Sequence, residues 1–534
     1  MEQSTSPVMK HKWFLYFTGF FSGMSVMAIE LGASRLLAPY FSSSQIVWTI
    51  IIGTIMIAMA IGNVLGGRMA DKNTDPGRLY RRLLFVAIWT AAIPFAGKYV
   101  IAGVTLFLAL FVSHNFLIWA SFLSCLILFV CPLLLLGTVT PSLIKYATNS
   151  LDDNGKTVGE LEALATIGSI IGTFLPTFVT IPSVGTSRTF LIFACILALL
   201  SLVYFLSAKH RRVFALLVSL LILVSIFIPF SNSFAFWEKN LAYEGESIYN
   251  YLQVKETEKT ISLSTNVAFG VQSVAVKSGG LTGMYYDYAL AAPLMAGAEP
   301  ETQDVLILGL GTGTFAKQCL EYFPGISVSG VEIDEKIAGL AKDYFDLPDT
   351  VTVTVYDGRA YLQNAGLYDV IMVDAYQDIT IPFQMSTVEF FSEVKRHLKP
   401  DGVMVVNLNM RAEEGQENAI AAYLTDTIHS VFSSVYTVQV SASTNTELFA
   451  SDNNDILFLF TQRLQRLPAS SALALQMQRV QQGLCKEAPG TRILTDDKAP
   501  VEVLGMQSLD SLITKELSFV RDAFRSGDFS AVFG

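Results

Sequence analysis

Three glycines and an acidic residue follow apolar segments near the middle of the sequence, at the spacing of a nucleoside-binding site. The apolar run Val305–Leu308 predicts a buried parallel strand. It is followed, directly before a helical pattern, by Gly309, Gly311 and Gly313. Glycines let a tight turn approach a ligand, and the helix N-terminus offers unpaired N–H groups. Glu332 ends the next apolar strand about 20 residues further on, where a carboxylate accepts hydrogen bonds from ribose hydroxyls.

Two more carboxylates follow the next two predicted strands. Asp357 comes after Val351–Val355, and Asp374 comes after Val370–Val373. In an open α/β sheet, the carboxyl ends of the parallel strands form the edge at which ligands bind. The sequence therefore predicts a small-molecule site at this edge. The alternative is a tight glycine turn that binds no ligand.

Further patterns complete the C-terminal half. The alternating stretch Tyr249–Val276 predicts a small antiparallel sheet. The following patterns predict a fifth strand at Val403–Asn407, a helix at Glu417–Phe432, and two last strands at Val435–Val440 and Ile456–Phe460. With the four strands above, they predict a seven-stranded sheet with helices on both faces. A terminal helix is predicted from Leu509 onward.

The composition of the 534-residue chain indicates a membrane protein. Its mean hydropathy is +0.46 and only 15% of its residues are charged, which is too apolar for an ordinary soluble enzyme. A net charge of −10 leaves no basic face for phosphates, so the sequence predicts no nucleic-acid partner. The five cysteines lack metal-ligand spacing, and we expect neither disulfides nor a metal site.

The N-terminal half contains apolar segments long enough to cross a bilayer. These seven segments are Trp13–Leu37, Ile46–Leu65, Leu83–Val104, Leu117–Leu136, Val158–Ile181, Thr189–Leu206 and Val213–Phe230. Basic residues cluster in alternate connections, which the positive-inside rule places in the cytoplasm. Seven crossings would put the C-terminal half outside, away from nucleoside substrates. Two short crossings within Leu83–Ser113, or a re-entrant last segment, would return it to the cytoplasm. We expect a multi-pass cell (inner) membrane protein with a cytoplasmic catalytic domain.

Two charged residues, Glu30 and Arg35, lie inside the first apolar segment. An unpartnered charge in the middle of a bilayer costs roughly 2.5–3.5 kcal/mol. Five residues turn a helix through about 140°, so the two side chains point to different faces and need partners on other helices. They predict a polar site in the membrane. The alternatives are that Arg35 reaches the interface, or that a buried ion pair fixes the packing.

Motifs in both halves resemble known families. The C-terminal half resembles the spermidine synthase (polyamine aminopropyltransferase) family, a relative of class I methyltransferases, in VLILGLGTGTFA, GVEIDEKI, YDGRAYL and YDVIMVDAY. The N-terminal half resembles the major facilitator-like membrane domain of proteins fused to a spermidine synthase, in AIELGASRLLAPYF, GNVLGGRMADK and LLLLGTVTPSLIKY. The resemblance implies a multi-domain fold. An all-α polytopic membrane domain (1–231) precedes a linker with a small β-sheet (232–302) and an α/β Rossmann-like methyltransferase fold (303–534).

The resemblance also implies a reaction and the residues that perform it. The family transfers an aminopropyl group from decarboxylated S-adenosylmethionine, a co-substrate rather than a bound cofactor, to a small amine such as putrescine. Asp374 would accept the amine's proton or hold the amine, Glu332 would bind the ribose, and Asp357 would bind the adenine amino group. By resemblance, Gln272 would contact the nucleoside, and Tyr286, Asp287 and Asp378 would lie near the amine. The family further implies a possible homodimer, with the lipid bilayer around the N-terminal half.

Three departures from the family pattern leave other functions open. Thr312 stands where the family has an aspartate that pairs with the aminopropyl ammonium, and the neutral stretch Gly280–Gly283 replaces an acidic pair. Asp378 falls one place later than the family's second aspartate. Each change removes negative charge from a site for cations. One alternative is therefore methyl transfer from intact S-adenosylmethionine, whose carboxylate Thr312 would tolerate. Another is a transport or binding protein whose nucleoside domain senses a ligand without catalysis.

Overall fold

The chain forms two compact units in the computed structural model described here. The structure describes residues 6–42, 44–112, 114–148, 154–209, 211–228, 233–267, 271–375, 381–409, 420–441 and 443–526. One unit, the helical unit, runs from the N-terminus to Trp237 and resumes at Thr514. The other, the sheet unit, is Glu238–Ile513.

The helical unit is built from long apolar helices. They are α1 (Lys12–Phe41), α2 (Gln45–Lys72), α3 (Pro76–Phe111), α4 (Phe116–Cys125), α5 (Cys131–Gly137), α6 (Val139–Ala147), α7 (Asn154–Leu175), α8 (Ile181–Ser207) and α9 (Arg212–Phe227). Two π-helical turns, Leu126–Val130 and Pro176–Thr180, join α4 to α5 and α7 to α8, and a 3₁₀ turn, Pro7–Lys10, precedes α1.

Within the described residues, 5 helical stretches are long and apolar enough to cross a membrane. They are Lys12–Phe41, Gln45–Lys72, Pro76–Phe111, Phe116–Ala147 and Gly155–Ser207. The last contains 53 residues, about 80 Å of helix, which exceeds two bilayer cores. Gly185 (φ 83°) interrupts this helical stretch between the two predicted apolar segments Val158–Ile181 and Thr189–Leu206. The continuous helix α3 excludes two crossings within Leu83–Ser113.

Glycines set the packing of the helical unit. A Cβ added to Gly168 or Gly172 of α7 would lie 2.0 or 2.1 Å from backbone carbonyl oxygens of α1. A Cβ on Gly23 of α1 would lie 2.2 Å from the carbonyl oxygen of Ala165. Gly62 makes a contact of the same kind between α2 and α5. Small residues at helix interfaces let backbones approach closely, which is how helices associate in a bilayer.

The sheet unit contains two sheets and the helices that cover them. Its strands are β1 (Leu241–Glu246), β2 (Tyr251–Glu256), β3 (Thr260–Ser264), β4 (Ser273–Val276), β5 (Asp304–Leu308), β6 (Ser327–Glu332), β7 (Thr352–Val355), β8 (Tyr368–Val373), β9 (Leu398–Leu408), β10 (Ser434–Gln439), β11 (Thr446–Ser451) and β12 (Cys485–Lys486). Its helices are α10 (Tyr285–Ala289), α11 (Ala291–Met295), α12 (Thr314–Tyr322), α13 (Glu335–Phe345), α14 (Gly358–Leu362), α15 (Val388–Arg396), α16 (Ile420–His429), α17 (Ile456–Arg466) and α18 (Ala472–Gly483), and 3₁₀ turns lie at Pro300–Thr302 and Phe383–Met385. The last helix, α19 (Val501–Ser526), begins in the sheet unit, and its residues from Thr514 onward belong to the helical unit.

The large sheet has the order β12-β10-β11-β9-β8-β5-β6-β7. Strands β9, β8, β5, β6 and β7 are parallel, whereas β11 and β10 are antiparallel to their neighbours. The seven predicted strands become eight because the two-residue strand β12 pairs with β10. The order reverses between β5 and β8, and open α/β sheets bind ligands at such a switch point.

The predicted small antiparallel sheet is confirmed as β1-β2-β3-β4. Its apolar face packs on α13, where Leu252 and Val254 share a buried cluster with Leu340 and Phe345. The hydroxyl of Ser247 also donates to the carboxylate of Asp334 at 2.5 Å. The small sheet is thereby fixed to the helix that follows the Glu332 strand.

The predicted strand at Ile456–Phe460 is wrong. This segment begins the helix α17, in which Ile456, Phe460 and Leu464 are buried at a spacing of four residues. The strand lies earlier, at Thr446–Ser451. The predicted helix Glu417–Phe432 ends earlier, at His429, and its first three residues lie outside the described residues. The terminal helix begins at Val501 rather than Leu509.

Candidate active site

Residues from five neighbouring strands form one transverse row at the carboxyl edge of the parallel sheet. Val331, Leu308, Val373 and Val406 are paired in register on β6, β5, β8 and β9, and the next residue of each strand continues the row. On β11, Glu447 pairs with Asn407. The row therefore reads Glu332, Gly309, Asp374, Asn407, Glu447. Residues paired across strands share a face, and four strand spacings give the row a length of about 19 Å.

The glycine turn lies at the centre of this row. Gly309, Gly311 and Gly313 all have positive φ angles, of 89°, 55° and 78°. A Cβ on Gly309 would lie 2.5 Å from the backbone oxygen of Asp374, so no side chain fits between these two strand ends. The turn thus brings the backbone of β5 against that of β8, and α12 starts directly after it.

Glu332 is buried and bonded to the glycine turn. Its Oε2 accepts a hydrogen bond from the N–H of Gly311 at 2.9 Å, and its Oε1 accepts from the N–H of Asp334 at 3.0 Å. Burial raises the pKa of Glu332 to about 7, although these N–H groups act in the opposite direction. Its predicted contact with a ribose stays a prediction.

Asp357 follows β7, the neighbour of the Glu332 strand. Its Oδ1 accepts a hydrogen bond from the N–H of Ala360 at 2.8 Å, which caps α14. The next turn carries Arg359, which forms a two-point ion pair with Asp496, at 2.9 and 2.7 Å. This ion pair joins the segment YDGRAYL to the loop that contains Asp496, next to the predicted adenine contact.

Asp374 is held by two hydrogen bonds. The hydroxyl of Tyr285 donates to its Oδ2 at 2.6 Å, and the amide of Asn407 donates to its Oδ1 at 3.0 Å. The side chain keeps partial exposure, yet burial is the largest influence and raises its pKa to about 7. The two hydrogen bonds lower the pKa, and the charge of Glu332 raises it. A fixed carboxyl that titrates near neutral pH is suited to accept a proton.

Tyr286 lies beside the Asp374 site but bonds elsewhere. Its ring packs on Tyr285 with centroids 4.0 Å apart, and its hydroxyl donates to the backbone oxygen of Gln272 at 3.0 Å. Burial raises the pKa of both tyrosines, so both hydroxyls stay protonated donors. Tyr286 therefore contacts the backbone of Gln272, whereas the preceding residue, Tyr285, contacts Asp374.

Asp287 is only 2% exposed, and its carboxylate is enclosed by donors. It accepts hydrogen bonds from the backbone N–H groups of Thr282 (2.9 Å) and Gly283 (2.6 Å), and from the Thr282 hydroxyl (3.0 Å). The amide of Gln318 on α12 donates to it at 2.7 Å. These contacts tie the loop before α10 to α12, and the loop positions Tyr285. The predicted contact of Asp287 with an amine stays a prediction.

Of the two remaining positions singled out in the sequence, the structure describes Thr312 but not Asp378. Thr312 is fully buried in the glycine turn, and its hydroxyl lies 3.4 Å from that of Thr314. Asp378, predicted near the amine, lies outside the described residues.

Glu447 is part of the site that the sequence reasoning missed. Its side chain is fully buried, and neither carboxylate oxygen has a hydrogen-bond partner among the described residues. Burial raises its pKa well above the usual range, and the charge of Asp374 adds to this effect. If TELFAS is assigned to a central strand, its glutamate indicates a functional site, because a central strand rarely buries a carboxylate.

The two charged residues predicted in the membrane both lie on α1 and are half-buried. Glu30 is close enough to Cys125 of α4 to act on it electrostatically, and Cys125 also contacts Thr54 of α2. The function of Glu30 and Arg35 stays a prediction.

Comparison with known proteins identifies relatives of this chain. A family model described as "Spermine/spermidine synthase domain" matches residues 286–450. A "Probable polyamine aminopropyl transferase" of Bifidobacterium longum is 48% identical over 349 residues, which cover 62% of this chain and 77% of that protein. A "Polyamine aminopropyltransferase" of Vibrio vulnificus is 26% identical over 306 residues, 53% of this chain and 98% of that protein. An "N-terminal histidine N-methyltransferase" of Emericella nidulans is 34% identical over 110 residues, 20% of this chain and 19% of that protein.

The carboxylate of Asp287 predicts a measurable contribution to stability. Asp287→Asn puts an amide N–H against donors, and we expect it to reduce the free energy of unfolding by roughly 1–3 kcal/mol. Thermal unfolding of the full chain in detergent measures this, with Asp349→Asn as the control, because the Asp349 side chain is 98% exposed. The control should change stability by less than about 0.5 kcal/mol. Unchanged stability with a raised KM for the amine would assign Asp287 to substrate binding instead.

Proposed function

Because this chain belongs to the spermine/spermidine synthase family of polyamine aminopropyltransferases, we propose that its sheet unit transfers an aminopropyl group from decarboxylated S-adenosylmethionine to a primary amine. The observation that carries this proposal is the fixed carboxyl of Asp374 beside the glycine turn. The nucleoside would lie along Gly309, Glu332 and Asp357, and the amine would approach from the side of Asn407. The donor is a co-substrate, and the reaction requires no resident cofactor.

The reaction is a displacement at the carbon next to the sulfonium. The amine nitrogen forms a bond to this carbon, the carbon–sulfur bond breaks, and its electron pair stays on sulfur, which becomes a neutral thioether. The positive sulfur already activates the leaving group, so the protein has to align the amine and remove its proton. Asp374 takes that proton, while Tyr285 and Asn407 fix the orientation of the carboxylate.

The donor side of the site has fewer charges than the family pattern. Thr312 is neutral and buried, so the carboxylates left near the donor are Glu332 and Asp357. Calorimetry with decarboxylated and intact S-adenosylmethionine tests the donor. Tighter binding of the decarboxylated form supports aminopropyl transfer, and tighter binding of the intact form would indicate methyl transfer instead.

The role of Asp374 predicts a loss of turnover without a loss of donor binding. Asp374→Asn keeps the shape of the side chain but cannot accept the amine's proton, so we expect aminopropyl transfer to putrescine to fall by at least about 100-fold. Donor affinity, measured by calorimetry, should stay nearly unchanged. Asp349→Asn serves again as the control and should retain activity. Full activity of Asp374→Asn would exclude it as the base.

The hydrogen bond from Tyr285 predicts the pH dependence of the reaction. Asp374 has to be ionised to accept a proton, so kcat/KM for the amine should rise with pH through about 7. Tyr285→Phe removes a donor that stabilises the ionised form, and the rise should move to higher pH by about one to two units. Tyr288→Phe is the matched control, because its hydroxyl bonds to Ser441. A rise that stays in place in Tyr285→Phe would contradict this role of Tyr285.

We further propose that the helical unit spans the cell membrane and that the sheet unit lies in the cytoplasm. Helix α9 has 16 residues, about 24 Å, which is shorter than the roughly 30 Å of a bilayer core. If α1, α2, α3, α4 to α6, α7 and α8 each cross and α9 does not, the chain after α8 returns to the side of Lys12. The positive-inside rule assigns that side to the cytoplasm.

Cys485 allows a direct test of this orientation. It is the exposed cysteine of the sheet unit, whereas Cys319 is buried. A membrane-impermeant maleimide should label the protein at this position only after the cells are opened, and Cys485→Ser should abolish that labelling. Labelling of Cys485 in intact cells would place the sheet unit outside.

A further inference from the structure

A chain of hydrogen bonds joins the loop between β10 and β11 to the carboxyl group of Asp374. The amide of Asn407, in β9, donates to Oδ1 of Asp374 at 3.0 Å. The amide of Asn445, directly before β11, donates to Oδ1 of Asn407 at 2.7 Å. The hydroxyl of Ser443 donates to Oδ1 of Asn445 at 2.6 Å. The chain thus runs from the start of β11 across β9 to the end of β8, and these strands are neighbours in the large sheet.

The outer end of this chain determines its direction. The backbone N–H of Asn445 donates to Oγ of Ser443 at 3.2 Å, so this oxygen is an acceptor and its own hydrogen is available to the Asn445 side chain. The side-chain oxygen of Asn445 accepts that hydrogen, which leaves its NH2 group to face Asn407. The reverse order would deprive the Ser443 hydroxyl of its acceptor in the chain and would turn the oxygen of Asn407 toward the carboxylate of Asp374.

The orientation of the Asn407 amide matters because the two ends of an amide have opposite effects on a carboxylate. An N–H donor stabilises the ionised form, whereas a carbonyl oxygen repels it. Asn407 is only 3% exposed, so little water is available to replace a donor that turns away. Its oxygen accepts from Asn445, and this bond holds the NH2 group on Asp374. The orientation at the base therefore depends on Asn445, which lies one hydrogen bond further from it.

We propose that Asn445 is a positioning residue for aminopropyl transfer. By donating to Asn407, it keeps an N–H donor on the carboxyl group that receives the proton of the amine. Ser443 supports this role by fixing the orientation of the Asn445 amide. The proposal rests on the proposed transfer at Asp374, and both residues act through Asn407 rather than on a substrate.

Several titratable side chains lie on the elements around Asp374. They are Glu332 of β6, Glu447 of β11, and Tyr285, Tyr286, Asp287 and Tyr288 of α10. Charge on Glu332 raises the pKa of Asp374, whereas its two hydrogen bonds lower it. Burial raises the pKa of Glu447 and of Tyr286, so it favours the uncharged form of both. Loss of the Asn407 donor should therefore make Asp374 harder to ionise.

The pH profile of transfer tests this role in Asn445→Ala. Because the variant lacks the donor to Asn407, kcat with putrescine should fall roughly 3- to 10-fold, the effect expected for one lost hydrogen bond. The rise of kcat/KM with pH should move up by about half a unit to one unit, while the KM for the nucleoside donor stays the same. Ser443→Ala should change kcat and the pH profile in the same direction, but less.

Asn445→Asp tests the direction of the chain. The new side chain has nearly the same shape, but it places a carboxylate oxygen against the oxygen of Asn407, so the Asn407 amide should turn over. We expect a larger loss of kcat and a larger pH shift than in Asn445→Ala. Thr444→Val is the control in the same loop, because the Thr444 hydroxyl bonds to Asn409 at 3.2 Å, outside the chain. This control should keep the kcat and the pH profile of the unaltered protein.

Two outcomes would overturn the proposal. One is an unmoved pH profile in Asn445→Ala, even with reduced activity, because a purely structural role lowers kcat at every pH. The other is a milder effect of Asn445→Asp than of Asn445→Ala.

A failure of the proposed function would look different. If the unaltered protein transfers no aminopropyl group to any amine, infrared titration of the Asp374 carboxyl group still tests Asn445. The carboxyl band of Asp374 is the one that disappears in Asp374→Asn. A higher titration midpoint in Asn445→Ala than in the unaltered protein would support the role of Asn445 in the chain even then, and equal midpoints would reject it.

Discussion

Backbone hydrogen bonds between β6, β5, β8, β9 and β11 align three carboxyl groups in one row of a buried sheet. The register of the strands, and not contact between these side chains, places Glu332, Asp374 and Glu447 on the same face. Because a shift of one residue would turn each side chain to the opposite face, the site depends on this register being kept. The large apolar core on both sides of the sheet holds the register in place.

The row also explains the electrostatics of the site. Burial raises the pKa of all three carboxyl groups, the charge of Glu332 further raises the pKa of Asp374, and the charge of Asp374 further raises the pKa of Glu447. Near neutral pH the ligand-free site therefore holds fewer negative charges than it has carboxyl groups. A sulfonium donor and a cationic amine substrate would supply positive charge to this site. Binding of both substrates and ionisation of Asp374 would thus favour each other.

Sequence patterns located the strand ends but not the whole row. The runs before Gly309 and Asp374 are continuously apolar, as expected for parallel strands buried on both faces, the run before Glu332 alternates valine with serine or glycine, and the glycines after Leu308 mark the turn. Glu447 is missed because β11 has only three apolar residues, Leu448 to Ala450, whereas the segment Ile456–Phe460 is entirely apolar and is therefore predicted as the strand. Short apolar runs do not distinguish a strand from one face of a helix, and the buried spacing of four residues in α17 needs its long-range partners to be recognised. Hydrogen bonds such as that from Tyr285 to Asp374 join residues 89 positions apart and leave no local signal.

The helical unit has more internal structure than anchoring requires. One apolar helix is enough to hold a protein in a bilayer, yet α1 and α7 meet along glycines that leave no space for a methyl group. In a bilayer, apolar surface would provide little driving force between helices, and such close contacts would specify one arrangement of the bundle. Glu30 and Arg35 lie half-buried on α1, a helix whose packing against α7 is fixed by backbone contact. Aminopropyl transfer does not account for these two residues, and the helical unit is therefore the part of the chain in which a second function would be sought.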